Sequence, residues 1–273
     1  MSLLVISKIF TFFSILSTVV SHKDTLTCQD LYKTRNISSA IYEIKTRSGP
    51  KWAYCDSDQR GGGWTIIQQR NGMTGEPFWN RTWDEFKHGF GAVHPLGEYW
   101  LGNDILHDIT TRGQKPALLR IEIFGDRTPG SDWNDVYLVA EYDIKVDNET
   151  MNYQLDITAK RPKKESNITV DHEYFVGNAS FGWYDITTSK KAPFSTIDRI
   201  NDPLPKCITK FHFGGWWSQN CATVSLNGEY EPEQFGGGYG MSWLYSGKRF
   251  IHPRMTRMMI RQLWDDFDIN NDI

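Results

Sequence analysis

The feature that most limits how this chain can fold is residues 198–221, DRINDPLPKCITKFHFGGWWSQNC. Pro203 and Pro205 forbid a continuous helix across it. Cys207 and Cys221 bracket Gly214-Gly215-Trp216-Trp217. The glycines permit tight backbone geometry there, and the indoles give an irregular loop an apolar anchor. A bridge between these cysteines would close a loop of about a dozen residues and constrain it by roughly 3 kcal/mol. Such a loop fixes polar backbone groups without a large regular core, and the rest of the chain reads as its support.

At 273 residues the chain suits one large domain or two small ones. A net charge of −3 leaves no electrostatic footprint for nucleic acid or an anionic membrane. Eleven Trp beside twenty-three Gly point to loops pinned by buried rings rather than to a helical bundle. Residues 1–21 are mostly apolar, with Lys8 their only charge, and their apolar core at 9–20 is short for a bilayer span. They read as a cleaved secretory signal before a polar leader at 22–27, in preference to an uncleaved anchor. No later apolar run reaches membrane-spanning length, so the mature chain is expected to lack a span.

An oxidising compartment turns Cys28, Cys55, Cys207 and Cys221 into two disulfides, and the sequence alone allows three pairings. A zinc site built from all four is disfavoured because no CxxC pair is present. Sequons at Asn36, Asn80, Asn148, Asn167 and Asn178 are candidate glycosylation sites, each of which requires a surface position.

Alternation over 38–44 and a return over 52–55, separated by Ser48-Gly49-Pro50, predict paired strands. Further strands are expected at 65–70, 118–124, 136–146, 151–158 and 255–263. A helical turn is expected at 81–88, and a helix at 103–111 capped by Asn103 and ended by Gly113. Asn71-Gly72 and 226–230 read as turns, and 236–240 as a mobile-looking glycine loop. From Lys190 to the last strand, regular structure is expected to fade. The sum is an α+β domain over 28–264 with a stapled N-terminal unit, a central antiparallel sheet and a loop-rich C-terminal lobe, followed by an acidic tail at 265–273. Asp266-Phe267-Asp268-Ile269-Asn270 in that tail copies the start of an EF-hand loop without its closing Glu. No nucleophile elbow, HExxH or P-loop is present, and the seven histidines are scattered, so an enzyme is not expected.

Seven motifs run in one order: Cys28-Gln29-Asp30-Leu31-Tyr32, Tyr54-Cys55-Asp56, Gly61-Gly62-Gly63-Trp64-Thr65, Phe86-Lys87-His88-Gly89-Phe90-Gly91, Gly97-Glu98-Tyr99-Trp100-Leu101-Gly102, the 198–221 stretch, and Leu226-Asn227-Gly228. In this order the chain resembles the fibrinogen C-terminal domain shared by ficolins, tachylectins, angiopoietins and tenascins. The resemblance implies the pairings Cys28–Cys55 and Cys207–Cys221. It also implies a calcium loop with a D-x-D-x-D pattern, which here reads Asp198-Arg199-Ile200-Asn201-Asp202. Asp202 keeps one ligand position, Ile200 replaces the other, and two prolines enter a shortened loop, so Ca²⁺ binding is expected to be weakened or lost. For ficolin-like relatives it implies an acetyl pocket beside a cis peptide bond, which here would be Asn220–Cys221. Ala222 stands where a His is common, and Tyr239, Trp243 and Phe250 are candidate walls, with His212 inside the stapled loop. The stretch 159–174 is longer than in relatives and reads as an exposed insertion. No collagen-like or heptad run precedes the domain, so no oligomerising stalk is expected. The implied function is secreted, lectin-like recognition of glycans or acetylated groups, in innate defence or matrix. The rival is a non-lectin matrix or receptor-ligand module that binds a protein partner.

Overall fold

The structure is a computed structural model that describes residues 26–59, 61–160, 173–175, 185–245 and 247–262. The signal segment, most of the leader, the acidic tail, Asn167 and Asn178 lie outside the described residues.

Among the described residues, three of the four α-helices are set by local chemistry at their first residues. Thr27 and Asp30 form a reciprocal capping box that starts α1 (Cys28–Arg35), and Thr82 and Glu85 do the same for α2 (Trp83–His88). Helix α3 (Asn103–Thr110) departs from expectation. Gly102, with φ 122°, occupies the cap and no side chain closes it. Asn103 is instead drawn inside, where its Oδ1 accepts from the Trp100 indole N–H at 3.0 Å. The helix ends at Thr110, before Gly113 is reached. Helix α4 (Lys206–Thr209) is a single turn begun by Pro205, whose φ of −53° suits a helix start.

The strands are β1 (Ala40–Thr46), β2 (Gly49–Asp56), β3 (Trp64–Arg70), β4 (Phe90–Gly91), β5 (Tyr99–Trp100), β6 (Ala117–Asp126), β7 (Tyr137–Val146), β8 (Leu155–Ala159), β9 (Glu173–Phe175), β10 (Val224–Ser225), β11 (Ser242–Tyr245), β12 (Arg249–Ile251) and β13 (Pro253–Gln262). The main sheet runs β1-β2-β3-β13-β6-β7-β8, with β4 and β5 joined at β3. The last strand, β13, lies between β3 and β6, so the end of the described chain is locked into the middle of the sheet. Side-chain alternation splits β6: Leu119, Ile121 and Ile123 enter the main core with Met258 and Ile260. Leu118 packs on the opposite face with Met259, Ile66, Trp64 and Tyr99. Cys28 and Cys55 are bonded, S–S 2.02 Å, and tie α1 to β2.

Three expectations are corrected. The strand predicted from 151 begins only at Leu155, because Asn148 caps a 3₁₀ turn and Asn152 and Tyr153 turn the chain in the left-handed region. The 159–174 stretch is not loop at its ends. Ala159 closes β8, and Glu173 opens β9, which pairs parallel to Tyr137–Val139; residues 161–172 lie outside the described set. β8 covers only the Tyr142–Val146 half of that edge, and the peptide groups beyond it recruit β9. Regular structure also does not fade after Lys190, since β10, β11 and β12 form a small antiparallel sheet.

Candidate functional site

Cys207 and Cys221 are bonded, with S–S 2.06 Å and Cα atoms 5.1 Å apart. The bridge closes a small core of Cys207, Ile208 and Phe213, against which Phe211, Leu204 and Ala222 pack. This loop is fastened to the domain by its tryptophans. Trp217 is fully buried, donates through its indole N–H to the Tyr153 carbonyl at 2.8 Å, and meets the Phe194 ring edge-on at 5.1 Å. Trp216 exchanges both of its backbone bonds with Ser195. The Gly214-Gly215 pair is required by space. A Cβ on Gly214 would overlap the Asn227 carbonyl oxygen, and one on Gly215 would overlap the Phe86 ring.

The peptide bonds of the described residues are trans, so the cis bond expected at Asn220–Cys221 is not there. Asn220 and Cys221 instead both lie in the left-handed region, with φ 58° and 62°. Two non-glycine residues in that region cost about 1–2 kcal/mol each, so the surrounding ties must hold them. One tie is the disulfide. The other is Asp202, whose Oδ1 accepts from Asn220 N at 3.0 Å. Among the described residues, no acceptor meets the N–H of Cys221 or of Ala222.

The other predicted pocket residues divide into three groups. Tyr239 is half-buried and meets Phe211 edge-on at 4.9 Å, and Phe250 is half-buried beside Gly238. Trp243 is fully buried in the main core and is not a wall: strand alternation in β11 turns it inward, with Val224 and Ile251 as its strand partners. His212 is engaged by residues outside the expected pocket. Its ring stacks on Trp79 at 4.0 Å, and Nδ1 lies 2.8 Å from Glu229 Oε2. Trp79, Phe211 and Glu229 were not singled out by the sequence reading. Only the position of Glu229, directly after Leu226-Asn227-Gly228, hints at its place.

Buried polar residues of β3 hold this lobe to the sheet. Gln68 donates to the Leu226 carbonyl at 2.9 Å, and Arg70 Nη1 donates to the Gly228 carbonyl at 3.0 Å. Arg70 pairs with Glu98 at 3.4 Å, both 1 % exposed. Glu98 also accepts from the N–H groups of Asn71, Gly72 and Thr74 and from the Thr74 hydroxyl. Burial pushes its carboxyl up, but these bonds and Arg70 outweigh burial and hold it below the usual range. The glycine loop is fixed by Gly236 N, which donates to His252 Nε2 at 2.7 Å, and by Gly240 N, which donates to the Phe211 carbonyl at 2.7 Å. Burial, then the nearby Arg127 charge, lower the His252 imidazole to about 4 against the opposing pull of Asp126.

In the loop expected to carry calcium, Asp198 and Asp202 each have their own partners. Asp198 Oδ1 accepts from Trp83 N at 2.8 Å and from the Thr196 hydroxyl, and so caps α2 from a distance. Asp202 is buried and accepts from Leu204 N and Asn220 N. Asn36, Asn80 and Asn148 are exposed. Among the described residues, no helix is long and apolar enough to cross a membrane.

The family model for the C-terminal globular domain of fibrinogen beta and gamma chains matches residues 24–263. The chain belongs to the fibrinogen C-terminal family. The human fibrinogen alpha chain is 33 % identical over 254 residues, covering 86 % of this chain and 27 % of that protein. Human angiopoietin-1 is 34 % identical over 243 residues, covering 86 % and 42 %. The chain therefore spans well under two thirds of the length of these relatives. Among solved structures, the fibrinogen-like globe domain of human ANGPTL6 superposes with a TM-score of 0.67 at 26 % identity, covering 87 % of this chain and 95 % of that one. A lamprey fibrin D-dimer complexed with the peptide ligand Gly-His-Arg-Pro-amide shares the fold, with a TM-score of 0.66 at 24 % identity, covering 89 % and 75 %. The sheet-rich globe with few short helices and two disulfides is thus the fold of this family.

Proposed function

We propose that this fibrinogen-family domain is a secreted, extracellular, non-catalytic recognition module that binds a protein partner at its clasped C-terminal lobe. The observation that carries this is the pair of uncommitted N–H groups at Cys221 and Ala222, on the same small core as Phe211, which Tyr239 meets edge-on. Unpaired backbone donors beside half-buried rings suit the carbonyls and apolar side chains of an extended peptide. Two disulfides and three exposed sequons favour an extracellular setting. Relatedness to angiopoietins and a fold neighbour complexed with a peptide favour a protein partner.

The lectin reading has one observation in its favour: the same free N–H pair could donate to an acetyl carbonyl. Against it, the cis geometry is absent, Ala222 offers no polar side chain, and Trp243 is withdrawn into the core. The test is surface plasmon resonance of the secreted chain and of Tyr239→Ala against a panel of extracellular domains, beside an array of N-acetylated glycans. An ectodomain bound by the wild type and at least tenfold more weakly by the variant supports the proposal. Array binding that Tyr239→Ala removes supports the lectin instead. Undiminished binding by the variant places the site elsewhere.

A further inference from the structure

The loop in which the family's pattern would place calcium has a donor set that does not fit the ion. Ca²⁺ takes six to eight oxygens, with carboxylates supplying most of the charge. Ile200 contributes no side-chain oxygen, and Asp198 Oδ1 is committed to Trp83 N and the Thr196 hydroxyl. Of the carbonyls that follow, three are taken up by α4. Leu204 O accepts from Cys207 N, Pro205 O from Ile208 N and Thr209 N, and Lys206 O from Lys210 N and Phe211 N. Within this loop Asp202 Oδ2 is buried without a partner, as is Ser218 Oγ, and Asp198 uses only its Oδ1 and is exposed. Two carboxylate oxygens, one exposed on Asp198 and one buried on Asp202, are far short of a calcium shell.

We infer that Asp202 replaces the metal as an organiser of this lobe, through hydrogen bonds alone. Its Oδ1 accepts from Leu204 N at 2.7 Å, an Asx turn that sets the entry to α4 and hence to Cys207. The same oxygen accepts from Asn220 N at 3.0 Å, eighteen residues further on and next to Cys221. Asp202 therefore joins both ends of the stapled loop, in parallel with the disulfide, and fixes the left-handed pair Asn220-Cys221. Asp202 is a positioning residue: it acts on the recognition surface through the backbone it holds. The domain is accordingly insensitive to chelators.

This inference builds on the clasped lobe being the partner-facing site, but its test reads metal and stability and needs no partner. The full secreted chain is melted in excess Ca²⁺ and in EDTA, with calorimetric titration of Ca²⁺ alongside. The expected result is the same Tm in both and no heat of binding. A site filled a hundredfold above its Kd would instead raise Tm by roughly 5–10 °C. Asp202→Asn, which keeps an acceptor oxygen, should retain most of the wild-type Tm, whereas Asp202→Ala should lower it, each identically with and without Ca²⁺. A wild-type melting point that falls in EDTA, or a titratable Ca²⁺ site that Asp202→Asn abolishes, overturns the inference. So does an Asp202→Ala protein as stable as the wild type. If Asp202→Ala is not secreted, the Asp202→Asn melts in Ca²⁺ and EDTA decide.

Discussion

Acid should loosen the C-terminal lobe through His252. This imidazole is fully buried, and its Nε2 accepts from Gly236 N at 2.7 Å, a bond that a proton on Nε2 would destroy. Burial and Arg127 lower its pKa from 6.5 to about 4. In the unfolded chain the same histidine binds its proton near 6.5. Between these values the unfolded state holds more protons, so stability is full above pH 6.5 and declines as pH falls toward 4. At 1.36 kcal/mol per unit, the loss is about 3 kcal/mol. Glu98 and Asp126, both held below the usual carboxylate range, also cost stability in acid, so the histidine must be isolated by comparison. His252→Gln keeps an acceptor for Gly236 N and does not titrate. Urea unfolding of both proteins across the window should show the wild type losing about 3 kcal/mol more than the variant. Parallel stability curves would refute the assignment of a buried, neutral His252 as the anchor of the glycine loop.

Other consequences are local. Glu98→Gln leaves Arg70 buried without its counter-charge and should cost about 3–5 kcal/mol in chemical denaturation. Gly228→Ala places a Cβ on the Gly240 carbonyl carbon, and such overpacking against backbone should cost at least about 1–3 kcal/mol. Its amide exchange should rise at 236–241 and leave the β6–β13 pairing protected. Thr82→Ala removes the box that starts α2 and should cost about 1 kcal/mol, seen as a lower urea midpoint at unchanged slope.

Much of the scaffold is legible in the sequence because its signals are local. β-branched and apolar runs gave β3, β6, β7 and β13, each found within two residues of its predicted ends. Order and spacing of seven short motifs carried the family and both disulfide pairings. What escaped depends on distant partners. Asn103 had the right chemistry for a cap, but the Trp100 indole claimed its oxygen. Strand β9 exists because β8 leaves half an edge of β7 open, and no local pattern records that. At the candidate site, Trp243, expected as a wall, is buried in the core, because aromatic composition does not reveal which face of a strand is inward. His212 was noticed, but its partners Trp79 and Glu229 lie on separate segments. That the calcium pattern is broken at Ile200 is plain in the sequence, which is half of the inferred replacement of the metal by hydrogen bonds. The other half, the Asp202–Asn220 bond, needed coordinates.

Hydrogen–deuterium exchange at the 202–223 amides, Asn220 N–H above all, is the most direct measure of what holds the clasped C-terminal lobe together. Protection that persists in EDTA and is lost when Cys207–Cys221 is selectively reduced is the predicted outcome. Amides that open on chelation, or stay closed once that bridge is cut, would contradict it.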